Sequence, residues 1–488
     1  MEVVNQKNLA SSYSPNAISP LVQSKVLNHL HGDSTFKDSF FVADETYIQH
    51  QLKRWESRFE DIQPFYAMKC NDNPTVLKIL AKNGAGFDCA SKSEIKRILE
   101  LGVEPHRILF AAPFKSEDHV LYAKKHGVEQ TMFDSEDELR KLATYFPTAA
   151  LYLRLWADDP TSRARLSEKF GVRLQEAKEL LKLAKDLNMR VVGLCFHVGS
   201  SASDCDAYRR AIALTREVYD YNETFGEGRK HPIGTVDVGG GFSSENFDDA
   251  ATAIRQAIRE YFDIERKIRW VAEPGRFFVH EAFHLICRVI GTRPKGRLDH
   301  QTALGETIPT GDIYINDGIY HNFLNALTEK VVPQPILLDK SGVPCRQSNE
   351  ARGKYTVWGQ TCDSFDKILM DCPLPSGARV GEWLYFPAMG SYAHVTSNDF
   401  NGFPKHKTTI WISNSNENRL FPIPAPISAI KALHYFLKRS LGMIEDVAKQ
   451  GKGSKMDNEV IALSTNTGIL RGLWPTIRKT SHAFEARR

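Results

Sequence analysis

Nowhere in this sequence does an apolar run approach the roughly 20 residues that a helix needs to cross a bilayer, so a membrane-spanning protein is not expected. The opening stretch, MEVVNQKNLASSYS, has no basic region followed by an apolar core, and a secretory leader is likewise not expected. Eight cysteines are scattered at Cys70, Cys89, Cys195, Cys205, Cys287, Cys345, Cys362 and Cys372 without one C-x-x-C pair. In a chain this long that scatter makes neither a disulfide framework nor a metal site, and reduced cytoplasmic thiols are the expectation. Charge of one sign is also missing. The 63 Lys and Arg against 59 Asp and Glu leave a formal +4, too balanced for a nucleic-acid-binding protein. Internal repeats and long low-complexity segments are absent, and the composition excludes a disordered, collagen-like or coiled-coil protein. What remains is ordinary soluble composition, 42% hydrophobic and 25% charged, in 488 residues, enough for two or three domains.

From about residue 45 to 275, short apolar strands alternate with amphipathic helices. Strand candidates are Phe65–Lys69, Ala85–Cys89, Ile108–Ala112, Gln130–Phe133, Ala150–Leu155, Val191–His197, Thr235–Val238 and Ile268–Ala272. Strands separated by helical patterns imply parallel βαβ units, and eight of them in about 230 residues match a (β/α)8 barrel. A doubly wound sheet remains the alternative, because counting strands does not prove closure. One intervening helix is read from Phe247, Ala251, Ile254, Ile258, Tyr261 and Phe262, which recur at helical spacing behind Asp248 and Asp249. Another amphipathic stretch, Tyr47–Phe59, precedes the first strand. After about residue 280 helical periodicity gives way to β-rich segments such as YTVWGQTCD and TTIWIS. The expected organisation is an N-terminal segment (1–43) joining a β domain through Ser39–Val42, a barrel (44–281), a C-terminal β-sandwich or β-barrel domain (282–415) and a basic extension (416–488). The last 59 residues of that extension carry 11 Lys and Arg against 5 Asp and Glu, a solvated appendage or a surface for an acidic partner.

Active residues of an eight-stranded barrel lie at the C-terminal strand ends, and several residues there are chemically unusual. Strand one ends in Lys69 after an apolar run. A lysine there either snorkels to the rim or is a desolvated amine of lowered pKa that forms a Schiff base. The second strand ends at Asp88, the fifth at Arg154 and the sixth at His197-Val-Gly-Ser200. The seventh runs into Gly239-Gly-Gly241, either a plain tight turn or a nest of N–H groups for a phosphate. The eighth ends in Glu273-Pro-Gly-Arg276, where a carboxylate and a guanidinium flank a turn. Together these supply an imine-forming amine, a ring-stacking group, a phosphate cradle and an acid for a pyridine nitrogen, the parts that hold pyridoxal phosphate.

The residues Phe65-Tyr-Ala-Met-Lys69, Phe196-His-Val-Gly-Ser200, Val238-Gly-Gly-Gly-Phe242, Glu273-Pro-Gly-Arg276, Asn316-Asp-Gly-Ile-Tyr320, Trp358-Gly-Gln-Thr-Cys362-Asp363 and Phe400-Asn-Gly-Phe403 carry a resemblance. In order and spacing they resemble the motif series of eukaryotic ornithine decarboxylases, pyridoxal-phosphate enzymes of the alanine racemase-like barrel class, over residues 36–415. The resemblance implies that Lys69 bonds the cofactor, His197 stacks on its ring and Glu273 pairs with the ring nitrogen. It implies phosphate binding by Ser200, Gly240, Gly241, Arg276 and Tyr392, with Asp88, Glu94 and Arg154 supporting the Lys69 environment. It further implies a cytoplasmic homodimer with shared sites. Cys362 of a second copy then protonates the substrate carbon, Asp363 meets the distal amine, and Tyr320, Glu329 and Phe400 line the pocket. No metal is implied, and no nucleic acid or membrane partner.

The sequence departs from that family at several positions. Ser201 stands where Gly is usual, Phe242-Ser-Ser replaces Phe-Pro-Gly, Ala112 replaces Asn, and His321-Asn322 replaces a Gly-Ser pair. Glu329 aligns with an aspartate that holds the substrate's terminal ammonium, and its extra methylene moves the carboxylate by about 1.5 Å. Three readings follow: a decarboxylase of L-ornithine, a decarboxylase of a different or larger modified amino acid in specialised metabolism, and a non-catalytic regulatory relative. The retained chemical residues disfavour the third.

Overall fold

The computed structural model describes residues 18–413, apart from 263–266, 295–309, 346–351, 376–377 and five single positions (34, 203, 227, 229 and 406). The basic stretch expected over 416–488 lies outside the described residues. No helix among the described residues is long and apolar enough to cross a membrane.

The first strand, β1 (Phe40–Asp44), is buried throughout and leads into a helix, Glu45–Arg58, capped by the Asp44 carboxylate on the Thr46 and Tyr47 N–H groups. Eight strands follow: β2 (Ile62–Ala67), β3 (Gly86–Cys89), β4 (Ile108–Phe110), β5 (Gln130–Phe133), β6 (Ala150–Arg154), β7 (Arg190–Cys195), β8 (Thr235–Asp237) and β9 (Arg269–Ala272). Each pairs in parallel with the next, and β9 returns to β2 through Ile62↔Trp270, so the barrel is closed. Closure removes the doubly wound alternative. The parallel strands are buried on both faces, which is why they read as apolar runs rather than alternating ones. Phe65, Leu109, Met132, Tyr152 and Val271 fill the inside, and the helices pack outside on a larger continuous core.

Strand ends differ in detail from the sequence expectation. Pairing of β2 starts at Ile62 and stops at Ala67, where its ladder with β3 runs out, so Lys69 lies in a short 3-10 turn (Met68–Cys70) beyond the strand. His197 likewise follows β7 by two residues. Both side chains thus leave the ladder at the barrel's C-terminal mouth.

The second sheet comprises β10 (Phe283–Pro294), β11 (Thr310–Ile315), β12 (Ile336–Leu338), β13 (Arg352–Trp358), β14 (Lys367–Pro375), β15 (Trp383–Phe386) and β16 (Thr408–Ile412). Its order is β12-β15-β10-β11-β13-β14, and β1 joins it between β10 (antiparallel) and β16 (parallel). A helix that sequence periodicity did not reveal, Pro20–Gly32, covers this sheet with Val22, Val26 and Leu30 against Phe40, Ile286 and Trp383. Ser19 caps it and Pro20 occupies its first turn.

Candidate active site

The barrel mouth gathers charged side chains around Lys69. Its ammonium forms an ion pair with Asp88, at the end of β3, whose carboxylate is fully buried while Lys69 keeps 38% exposure. Burial pulls the Lys69 pKa down, but Asp88, Glu273 and Tyr392 pull it up harder, and the amine ends above the usual lysine range. The sequence reading of a desolvated amine with lowered pKa is therefore corrected. The adjacent carboxylates outweigh desolvation, and without cofactor Lys69 is stored as an ammonium.

Asp237 at the end of β8 and Glu273 just after β9 are both buried. Burial pushes Glu273 well up, with Asp237 and Asp88 adding to it, and burial pushes Asp237 up to about 7. One Asp237 oxygen accepts the Gly239 N–H at 2.8 Å. Its other oxygen, one oxygen of Glu273 and one of Asp88 have no partner among the described residues. The pair consequently retains a proton near neutral pH and presents unsatisfied acceptors to the mouth. The sequence gives Asp237 no assigned role, although an acid at a strand end, one residue ahead of three glycines, was the available signal.

The glycine turn is built for close approach. A Cβ on Gly240 would fall 2.7 Å from His197 Nε2 and 2.8 Å from the Glu273 carbonyl oxygen. One on Gly241, whose φ is +104°, would meet the Tyr208 hydroxyl at 2.6 Å. Tyr208 donates to the Gly240 carbonyl at 2.9 Å, and the Gly240 and Gly241 N–H groups have no acceptor among the described residues. His197 Nδ1 accepts the Gly199 N–H at 2.9 Å. Burial, then the Arg154 and Lys69 charges, drives its pKa well below the usual histidine range, so the ring is neutral. Ser201, where the family resemblance has Gly, is left-handed at φ +50°.

Arg276 opens the turn after Glu273. Its Nη2 donates to Ser200 Oγ at 3.3 Å and to Glu329 Oε2 at 2.6 Å, and its Cζ lies 5.3 Å from the Tyr392 ring centroid. Tyr392, left-handed at φ +52°, is tied to the Lys69 turn by its N–H on the Cys70 carbonyl at 2.9 Å. Glu329 thus stands on Arg276, where the sequence reading set it against the substrate's distal group. Removing one partner of such a buried pair costs about 3–5 kcal/mol, because the other charge is left buried and unpaired. Glu94 lies in the first turn of the helix Lys92–Glu100, its carboxylate accepting the Ala90 N–H at 2.5 Å while its own N–H donates to the Oγ of the N-cap Ser91. The Arg154 guanidinium lies 4.9 Å over the Phe170 ring.

Four of the expected residues form a separate cluster on the β domain. The Tyr320 hydroxyl bonds the Asp363 carboxylate, and the Tyr320 and Phe400 rings lie 4.5 Å apart. The Cys362 N–H donates to Asn401 Oδ1 at 3.0 Å, leaving an exposed thiol. Phe365, whose N–H donates to Asp363, and Phe400 are exposed as well.

Comparison with known proteins explains the mouth. Residues 45–280 match the family described as "Pyridoxal-dependent decarboxylase, pyridoxal binding domain". The chain is 40% identical to "Decarboxylase flvG" of Aspergillus flavus over 77% of its length and 86% of that protein. It is also 40% identical to the ornithine decarboxylase of Schizosaccharomyces pombe, over 77% of this chain and 83% of that one. The chain belongs to the pyridoxal-dependent decarboxylases. Among solved structures, the arginine decarboxylase of Paramecium bursaria Chlorella virus superposes with a TM-score of 0.73 at 34% identity, covering 80% of this chain and all of that one.

This decarboxylase has the parts its cofactor requires. The Gly240 and Gly241 N–H groups and the buried Arg276 Nε and Nη1, all without partners among the described residues, suit an anion such as the cofactor's phosphate. The Glu273 oxygen left without a partner among the described residues could accept a protonated ring nitrogen, and Lys69 has the amine that the cofactor's aldehyde requires. The group fits the residues present.

Proposed function

We propose that this decarboxylase acts on an L-α-amino acid with a cationic distal group, L-ornithine or a close relative, in the cytoplasm and in polyamine synthesis. The observation that carries the reading is the Tyr320–Asp363 cluster, a carboxylate held by a phenol on an exposed face beside a free thiol. The names of its relatives, acting on ornithine and arginine, support a basic substrate. The departures at Ser201 and at the buried His321-Asn322 pair favour a second reading, an altered pocket that takes a different or larger modified amino acid.

Bound pyridoxal phosphate supplies an aldehyde for amines and an electron-poor ring that accepts the electron pair left when CO2 departs. The chain's residues do the rest. Lys69 would hold the cofactor through its amine, with Asp88 orienting that nitrogen and Glu94 and Arg154 shaping the surroundings. His197, a neutral ring, would stack on the cofactor without adding charge, and Glu273 would pair with its ring nitrogen. Ser200, Gly240, Gly241, Arg276 and Tyr392 hold the phosphate. Among the described residues Cys362 and Asp363 hydrogen-bond within their own domain, and apolar Phe365 is 63% exposed beside them. A homodimer brings this face over the mouth of a second copy, where the Cys362 thiol delivers a proton to the substrate carbon, Asp363 holds the distal cation, and Tyr320 and Phe400 wall the pocket.

Amine release from L-ornithine by purified protein with added cofactor tests the substrate. Putrescine at about 1–1,000 per second is the expected result. With cofactor bound and no putrescine formed, turnover of a larger amino acid establishes the second reading, and release of CO2 from none overturns both. Cys362→Ala is expected to leave cofactor affinity intact and cut correct turnover by about 10²–10⁴-fold, the usual worth of a proton donor. Unchanged rate and product would remove its role.

A further inference from the structure

Glu329 is one methylene longer than the aspartate the family resemblance expects, and it uses that length to reach the phosphate side of the mouth. It caps the short helix Leu324–Thr328, its own N–H donating to the Asn325 carbonyl at 3.0 Å, and left-handed Lys330 (φ +53°) turns the chain away behind it. That helix is not free to drift. The Asn325 amide donates to the Ser391 carbonyl at 3.3 Å, and Tyr392, the next residue, is bonded to Cys70 beside Lys69. A rigid relay therefore carries Glu329 from the β domain onto the barrel. There its Oε2 takes Arg276 Nη2 at 2.6 Å, with side-chain exposures of 9% and 3%. Among the described residues only Nη2 is engaged. Nε and Nη1 are buried and lack a partner among the described residues.

We infer that Glu329 is a positioning residue for the cofactor phosphate, fixing the Arg276 guanidinium through Nη2 so that Nε and Nη1 stay available to the anion, and that it is not the binder of the substrate's distal cation. A planar guanidinium held along one side offers its remaining donors in a set plane, which is how arginine binds phosphate best. The consequence for specificity is direct. Recognition of the distal group rests on Asp363 of a second copy, and the pocket tolerates distal groups that a fixed second carboxylate would reject. This inference rests on the decarboxylase reading of the site, but its central test needs no turnover.

The test compares pyridoxal phosphate with pyridoxal, which lacks the phosphate, by fluorescence titration of the full chain. Glu329→Ala is expected to weaken pyridoxal phosphate binding at least tenfold and to change pyridoxal binding by less than threefold. Glu329→Gln keeps an acceptor oxygen for Nη2 and is expected to stay within threefold of the parent for both. Equal loss of both cofactors, or loss of neither, overturns the inference. At saturating cofactor, KM for whichever amino acid the parent turns over is expected to change less than threefold in Glu329→Gln. A tenfold rise there with cofactor affinity unchanged returns Glu329 to the substrate. Absence of turnover in the parent defeats the decarboxylase reading and leaves the titrations still decisive for Arg276.

Discussion

Lys69→Ala is expected to reduce amine formation by more than about 10³-fold, the scale on which removal of a covalent catalytic group is felt. Borohydride treatment of the parent protein with pyridoxal phosphate is expected to fix the cofactor to the peptide containing Lys69, and to fix none in the variant. Equal labelling of the two would locate the covalent bond elsewhere. The structure adds a kinetic corollary. Lys69 is paired with Asp88 and held as an ammonium, so it must lose a proton before it attacks the cofactor's aldehyde. Incorporation of cofactor into the apoprotein should therefore accelerate as pH rises. In Asp88→Asn the strongest stabiliser of the ammonium is gone, and the same acceleration should appear at lower pH. A pH profile identical in the two proteins would mean that the ion pair does not gate incorporation.

That corollary was not legible in the sequence, though Lys69 and Asp88 both were. The alternation of apolar runs revealed the barrel because parallel strands bury both faces, and strand ends then located Lys69, Asp88, His197, the glycines, Glu273 and Arg276. The sign of the Lys69 shift depends on whether burial or neighbouring carboxylates win, and that is decided by separations in space. The helix Pro20–Gly32 escaped because its apolar positions form a weak stripe, and its best signals, Ser19 and Pro20, are local. Glu329 aligned with a substrate residue, but its partner lies 53 positions away on the other side of a domain junction. No periodicity reports such a contact. Asp237 was visible as a residue and invisible as a partner, since only closure of β8 against β9 brings it beside Glu273.

The Asp237–Glu273 pair makes the second large prediction, in stability. An unfolded aspartate titrates near 4, whereas folded Asp237 titrates at about 7. Between those values the native chain binds more protons than the unfolded chain, so stability falls as pH rises through that window. Below it both states are protonated and the full contribution is present. Above it the fold carries a buried charge costing on the order of a few kcal/mol. Asp237→Asn cannot ionise and keeps an oxygen for the Gly239 N–H. In the apoprotein this substitution is expected to raise Tm at pH 8 by roughly 5 °C relative to the parent, and to give little or no gain at pH 4.5. Parallel pH curves for the two proteins would show that the pair holds no shared proton. Cofactor should act on the same balance from the other side, because a protonated ring nitrogen against Glu273 neutralises the charge that makes the pair costly. The parent with pyridoxal phosphate is therefore expected to lose less stability between pH 5 and 8 than the parent without it. The carboxylates that destabilise the empty mouth are thus the groups that make it selective for a cationic ring, and their cost to the fold is relieved by the ligand they bind.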